Sequence, residues 1–103
     1  MIIRGGENIA PAEVETVLMS HPAVEEAAVI GVPSVEWGQT IKAFVVRRPM
    51  QNVSAADLSE FCRTRLASFK RPEEIEFIDA LPKNPLGKIL RKELRDRGDR
   101  QQA

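Results

Sequence analysis

The sequence is poor in the residues that build stapled or metal-bound sites. It holds one cysteine, Cys62, and one histidine, His21, in 103 residues. A single cysteine excludes an internal disulfide, which suits a reducing compartment. One cysteine and one histidine also fall short of the usual zinc ligand set. No apolar run reaches the roughly 20 residues of a membrane-spanning helix, and no signal-peptide pattern opens the chain. The final RQQA carries no sorting signal. A cytoplasmic location is therefore expected. Internal repeats and low-complexity tracts are absent, and so is the aromatic–basic array that marks nucleic-acid binders.

What is present is an ordinary globular composition, 43% hydrophobic and 29% charged. A chain of this length buries somewhat over ~60% of its unfolded surface, so it can build a core without staples. It has no room for a large cleft between two domains of its own. Formal net charge is zero but unevenly spread. Residues 1–82 carry 8 Lys/Arg against 12 Asp/Glu, and residues 83–103 carry 7 against 3. The basic end could meet an anion. For most of these charges a solvated helix face and a loose tail is the preferred reading.

Along the chain, MIIR reads as a short extended run stopped by Gly5 and Gly6. Pro11 suits the first turn of a helix, and Val14, Val17 and Leu18 follow at helical spacing. Glu13 and Glu15 are placed in its first turn, where carboxylates favour the helix dipole. Pro22 ends the helix, since it disfavours helical backbone at His21. VEEAAVIGV reads as a strand, and Gly31, Pro33 and SVEWGQ as the connection after it. TIKAFVVRR reads as a second strand with Ile41, Ala43 and Val45 on one face and Lys42, Phe44 and Val46 on the other. Ser54 caps the next helix with Asp57 three residues on, an acidic capping box. Leu58, Phe61, Cys62 and Leu66 form its apolar face, which makes Cys62 buried filler rather than a nucleophile. Pro72 shapes the turn FKRPEE, and EIEFID reads as a third strand. Ile89, Leu90 and Leu94 define the inner side of a last helix. The expected architecture is α+β: a small, mostly antiparallel sheet of about three strands, an N-terminal β-ribbon and two to three helices. The domain is expected over residues 1–97, with a disordered tail over 98–103.

One stretch stands out. In LPKNPLGKILRKELR, residues 81–95, Lys88 follows Gly87 and is placed directly before the last helix. Pro82 and Pro85 hold the approach extended. A lysine ammonium offers three donors on a long stem and can reach an anion on another body. Gly87 removes bulk beside it and lets the backbone turn. Physical argument alone permits a catalytic Lys88 without showing one, since most surface lysines are only solvated.

The same stretch resembles the last core motif of the adenylate-forming superfamily, which comprises acyl- and aryl-CoA ligases, peptide-synthetase adenylation domains and luciferases. That motif reads roughly Pro-Lys-x-x-x-Gly-Lys-(Ile/Val)-x-Arg, here Pro82, Lys83, Gly87, Lys88, Ile89 and Arg91. MIIRGGENIAPAEVE resembles the motif opening that family's small C-terminal domain, and HPAVEEAAVIGVP and EWGQTIKAFVV match between the two. The resemblance runs from residue 1 to about 97. It implies the C-terminal lid of an ATP-dependent acid–thiol ligase, whose complete form uses ATP, Mg²⁺ and CoA. Lys88 is then the adenylation lysine. After the lid rotates, Gly5, Gly6 and Glu7 line the pantetheine passage, while Trp37, Phe69 and Arg71 contact the CoA nucleotide. Partial core burial is the competing reading for Trp37 and Phe69, and Arg71 is expected to be exposed. A hairpin turn equally explains Gly5 and Gly6.

The resemblance implies a partner, the large N-terminal domain that holds ATP, magnesium and the acid. The family's hinge lies just upstream of MIIRGG, and this chain shows neither it nor a phosphate-binding loop. It is therefore expected to be an excised or separately encoded lid, inactive alone. Two alternatives stay open: the lid of an amino-acid-activating adenylation domain, and a free-standing anion-binding or regulatory module. Trp37 and FKRP argue against the first, and zero net charge against nucleic-acid binding by the second.

Overall fold

The computed structural model describes the backbone of residues 1–102 and the side chains of residues 1–97. The tail expected over 98–103 lies outside the residues whose side chains are described. Among the described residues five strands and three α-helices are formed: β1 (Ile2–Arg4), β2 (Glu7–Ile9), α1 (Pro11–Met19), β3 (Val24–Ser34), β4 (Gly38–Arg47), α2 (Ala55–Arg63), β5 (Glu74–Phe77) and α3 (Arg91–Gln102). A short 3-10 turn, Ser68–Lys70, precedes β5. β1 and β2 form an antiparallel ribbon, and the main sheet runs β3-β4-β5. The β3–β4 pair is antiparallel, and β4–β5 is parallel with α2 in the crossover. This is the expected small α+β fold.

Alternation along β3 and β4 feeds two cores. Ala27, Val29, Ile41, Ala43 and Val45 pack with Val14 and Leu18 of α1, Leu58 and Cys62 of α2, and Ile2 and Ile9 of the ribbon. On the other face, Ala28, Ile30, Val32, Phe44 and Val46 pack with Leu81 and Leu94. Covered on both faces, these strands read as nearly unbroken apolar runs. Lys42 is the exception. It is buried, and its ammonium lies 3.1 Å from Glu76 and 5.0 Å from the Phe44 ring centroid.

β3 is longer than the sequence suggests. Gly31 and Pro33 belong to the strand rather than to the connection, which shrinks to residues 35–37. Pro33 is tolerated because β3 is an edge strand, where a missing N–H breaks no ladder. The α2 capping box is formed as expected. Ser54 Oγ accepts the Asp57 N–H at 3.0 Å, and Asp57 accepts the Ser54 N–H at 3.0 Å. The Ser54 backbone and hydroxyl donors hold the Asp57 carboxyl below its ordinary pKa of 3.8. Cys62 is fully buried, and burial pushes its thiol up from the ordinary 9.0. His21 ends α1. Its Nδ1 accepts the Ala23 N–H, and its ring meets Phe61 edge-on at 4.8 Å.

Glu15 departs from expectation. It lies beyond the first turn and is buried. Its carboxylate accepts the Val29 N–H at 2.8 Å on the open edge of β3. Arg91 comes from the opposite layer and forks onto the same carboxylate at 2.5 and 3.1 Å. It also donates to the Val29 carbonyl at 2.9 Å. The pair thus joins α1 to the start of α3 around the sheet edge. Periodicity could not show this, because the partners are 76 residues apart.

Glu15→Ala leaves Arg91 and the Val29 N–H without their acceptor, and should lower unfolding stability by about 2–3 kcal/mol in urea titrations. Loss of under a few tenths would mean that the clamp adds nothing. For Asp57 the folded pKa is depressed. Its stabilisation is therefore present above the unfolded pKa and lost as pH falls through the folded one. Asp57→Asn should flatten the fall of stability below about pH 4 relative to wild type, as read by denaturation at a series of pH values.

Candidate functional site

Lys88 does not stand directly before α3. The segment 83–89 closes as a small hairpin, with Lys83 bridged to Ile89. The Leu90 N–H then bonds to the Pro82 carbonyl at 2.8 Å, and α3 begins only at Arg91. Ile89 and Leu90 thus precede the helix, although Ile89 still packs on the second core with Leu94. Helix cannot reach back to Lys88 because the hairpin uses its backbone groups. The Asn84 N–H donates to the Lys88 carbonyl and the Lys88 N–H to Asn84 Oδ1, each at 2.9 Å. Gly87 has φ of +85°, and nothing lies within 4 Å of where a Cβ would stand. Its role within the domain is therefore the left-handed backbone, not clearance.

Lys88 is exposed, and its ammonium has no hydrogen-bond or ion-pair partner among the described residues. Lys83 behaves differently, since its ammonium pairs with Glu26 of β3 and secures the hairpin base. The result is a fixed backbone carrying an uncommitted cation.

A second cluster forms at the ribbon. Gly5 and Gly6 make the two-residue turn between Arg4 and Glu7, with φ of +57° and +87°, the sign pattern of a type I′ hairpin. Trp37 lies over it. The Gly5 N–H donates to the Trp37 carbonyl at 2.8 Å, and a Cβ on Gly5 would stand 3.0 Å from the indole ring. Trp37 is 39% exposed and belongs to neither core; what burial it has comes from the ribbon turn and Arg4. The Arg4 guanidinium sits 4.4 Å from the ring centroid and bonds to Glu73 at 2.8 Å. Glu7 is exposed beside the turn.

Phe69 and Arg71 lie on the α2–β5 connection, in the same segment as Glu73. Phe69 is half-buried against the first core. Arg71 is a correction, because it is half-buried rather than exposed. Its Nε donates to the Leu66 carbonyl at 3.0 Å and its Nη2 to the Arg63 carbonyl at 2.8 Å. The guanidinium fork closes the end of α2, where carbonyls lack helical partners. Arg4, Asn84 and the Glu15–Arg91 pair were missed as site-building residues. Only Asn84 gave a local signal, since Asn before Pro favours a turn.

The two clusters sit toward opposite ends of the β3–β4 hairpin. Lys83 is anchored at Glu26 near the start of β3, and Trp37 follows Ser34 at its end. Those strand positions are roughly 25 Å apart along an extended chain. Among the described residues no group of His, Cys, Asp or Glu could hold a metal ion, and no helix is long and apolar enough to cross a membrane.

The family described as AMP-binding enzyme C-terminal domain matches residues 13–88. The chain belongs to that family. It is 55% identical over 96 residues to a fatty acid–[acyl-carrier-protein] ligase of Streptomyces coeruleorubidus, covering 93% of this chain and 18% of that protein. It is 53% identical to a 2-succinylbenzoate–CoA ligase of Geobacillus kaustophilus, covering 92% and 19%. A solved Mycobacterium tuberculosis fatty acyl CoA synthetase superposes with a TM-score of 0.88 at 47% identity, covering 94% of this chain and 19% of that one. This C-terminal domain therefore spans under a fifth of the length of these relatives.

Gly6→Ala should cost about 1 kcal/mol through left-handed strain alone. Gly5→Ala should cost more, because the added methyl also meets the indole. It should shift the emission of Trp37, the single tryptophan of the chain. Equal losses and an unmoved spectrum would show that the indole does not constrain the turn.

Proposed function

We propose that this domain is the catalytic lid of an ATP-dependent acyl- or aryl-CoA ligase and supplies the adenylation lysine, Lys88. The observation that carries the reading is the pairing of a hydrogen-bonded hairpin backbone with an uncommitted ammonium at its tip. In the first step a carboxylate oxygen of the acid attacks the α-phosphorus of ATP. An O–P bond forms, the α–β bridging P–O bond breaks, and pyrophosphate leaves with its electron pair. Lys88 donates hydrogen bonds to the oxygens on which charge builds. In the second step a thiolate attacks the acyl carbon and AMP departs.

The ribbon cluster would serve the second step. Gly5 and Gly6 allow close approach of a narrow pantetheine arm. Glu7 flanks it, and the exposed indole of Trp37 can receive a nucleobase. Phe69 and Arg71 are assigned the nucleotide end. Two of the Arg71 nitrogens are held by the Arg63 and Leu66 carbonyls, so its phosphate contact would be through the rest of the fork. ATP, Mg²⁺ and the acid are assigned to the large partner domain, and no residue of this domain is assigned to the metal. The separation of the clusters along β3 favours their use in turn by rotation. A lone buried thiol suits a cytoplasmic setting, and similarity to ligases of fatty acids supports a place in fatty acid metabolism.

The name of the Streptomyces relative favours a second reading of the acceptor, a carrier-protein thiol in place of CoA. Thioester assays with CoA and with a phosphopantetheinylated carrier protein separate the two.

The test enzyme is a hybrid in which residues 1–103 stand in place of the matching C-terminal segment of the Geobacillus ligase, 53% identical over 95 residues. Lys88→Ala in that enzyme should slow ATP–pyrophosphate exchange by ~10²–10³, the usual cost of one transition-state donor. Thioester formation from supplied acyl-adenylate should be preserved. Normal exchange by Lys88→Ala would overturn the assignment.

A further inference from the structure

The hairpin that carries Lys88 is held by one side chain that none of the foregoing roles uses. Asn84 makes four hydrogen bonds within five residues. Its N–H donates to the Lys88 carbonyl at 2.9 Å, and its own carbonyl accepts the Gly87 N–H at 2.9 Å. Its Oδ1 accepts two more, from the Leu86 N–H at 3.0 Å and the Lys88 N–H at 2.9 Å.

In a regular two-strand pair, the Lys88 N–H would go to the Asn84 carbonyl. Here that carbonyl accepts the Gly87 N–H instead, and Gly87, with φ of +85°, returns the chain toward Lys88. The Lys88 N–H is left for a side chain to receive, and Asn84 Oδ1 receives it. Both backbone polar groups of Lys88 therefore end on Asn84. Prolines bracket the clamp at 82 and 85 and remove alternative donors from the segment. The base is fixed separately, by Lys83 on Glu26 and by Arg91 on Glu15. Those contacts hold the two ends of the hairpin, but neither touches the tip.

We infer that Asn84 is a positioning residue for Lys88. Its carboxamide oxygen sets the backbone of Lys88, and so the direction in which the lysine stem leaves the domain. Fixing the first bond of a long, flexible side chain narrows the volume its ammonium samples. Orientation of this kind is worth large factors in rate, since a displacement of about 1 Å can cost on the order of 10²-fold. The nitrogen of the carboxamide takes no part in the clamp, so a carboxylate at the same position keeps the accepting oxygen. This inference rests on the reading of Lys88 as the adenylation lysine.

The test has two arms. In the 103-residue chain, amide hydrogen exchange is followed by NMR for wild type, Asn84→Leu and Asn84→Asp. The Leu86 and Lys88 amides should exchange at least 10-fold faster in Asn84→Leu and stay protected in Asn84→Asp, with β3 and β4 amides unchanged in both. Equal exchange in all three would overturn the clamp. In the Geobacillus hybrid, both variants are compared with Lys88→Ala in each half-reaction. Asn84→Leu should lower kcat of pyrophosphate exchange by on the order of 10-fold, with KM for ATP and acid little changed. Thioester formation from supplied acyl-adenylate should be untouched, and Asn84→Asp should recover most of the exchange rate. Wild-type exchange in Asn84→Leu beside a slow Lys88→Ala overturns the inference and leaves the Lys88 reading standing. Equal slowing of both half-reactions, or no recovery in Asn84→Asp, also overturns it. Fast exchange in Lys88→Ala removes the reading on which it rests.

Discussion

The clamp formed by Glu15, Arg91 and Val29 is the contact on which the arrangement of layers depends. The sheet is covered on both faces, and its β3 edge would otherwise present unpaired N–H and C=O groups. At Val29 both groups are taken, one by a carboxylate from α1 and the other by a guanidinium from the start of α3. The two side chains then satisfy each other. One interaction therefore satisfies the edge at Val29 and ties α1 to the first residue of α3 around it. Since Lys83–Ile89 leads directly into α3, the clamp also fixes the foot of the Lys88 hairpin.

From that foot outward, control passes from packing to backbone hydrogen bonds. Leu81, Ile89 and Leu94 sit in or against the second core, whereas Leu86 and Lys88 at the tip are exposed. No apolar burial steadies the tip. Its conformation is held by the left-handed Gly87 and by the polar groups of Asn84. Such a loop is rigid in backbone and open in side chain, which suits a cation that must meet an anion on another body. The ribbon at the other end of the hairpin follows the same logic. Gly5 and Gly6 permit the turn, Trp37 covers one side of it, and Arg4 bridges the indole to Glu73.

A good part of this was legible in the residues. The capping box at Ser54, the two-faced pattern of β4, the burial of Cys62 and the start of α1 at Pro11 all follow from local rules, and all are formed. The Pro-Lys-x-x-x-Gly-Lys stretch and the opening MIIRGGEN carried the family, which the match over residues 13–88 shows. The errors share one cause. Gly31 and Pro33 read as loop formers, yet an edge strand accommodates both. Ile89 and Leu90 fit helical spacing with Leu94, but the Leu90 N–H is drawn to Pro82. Arg71 reads as an exposed turn residue, while its fork is drawn to the carbonyls of Arg63, at the end of α2, and of Leu66 beyond it.

Local chemistry by itself determined where most elements begin and end, which faces are apolar, and that a glycine-flanked lysine stands at residue 88. Those features depend on φ preferences, side-chain periodicity and caps, which act within a few residues. The tertiary structure alone decided which polar groups meet. Glu15 finds Arg91 across 76 positions, Arg4 finds Glu73 across 69, and Lys83 finds Glu26 across 57. No periodic signal links residues so far apart. Their pairing follows from the packed layers, which bring each cation within reach of its carboxylate; for Glu15 burial also withdraws water and makes the partner necessary, whereas the other two pairs stay exposed to solvent.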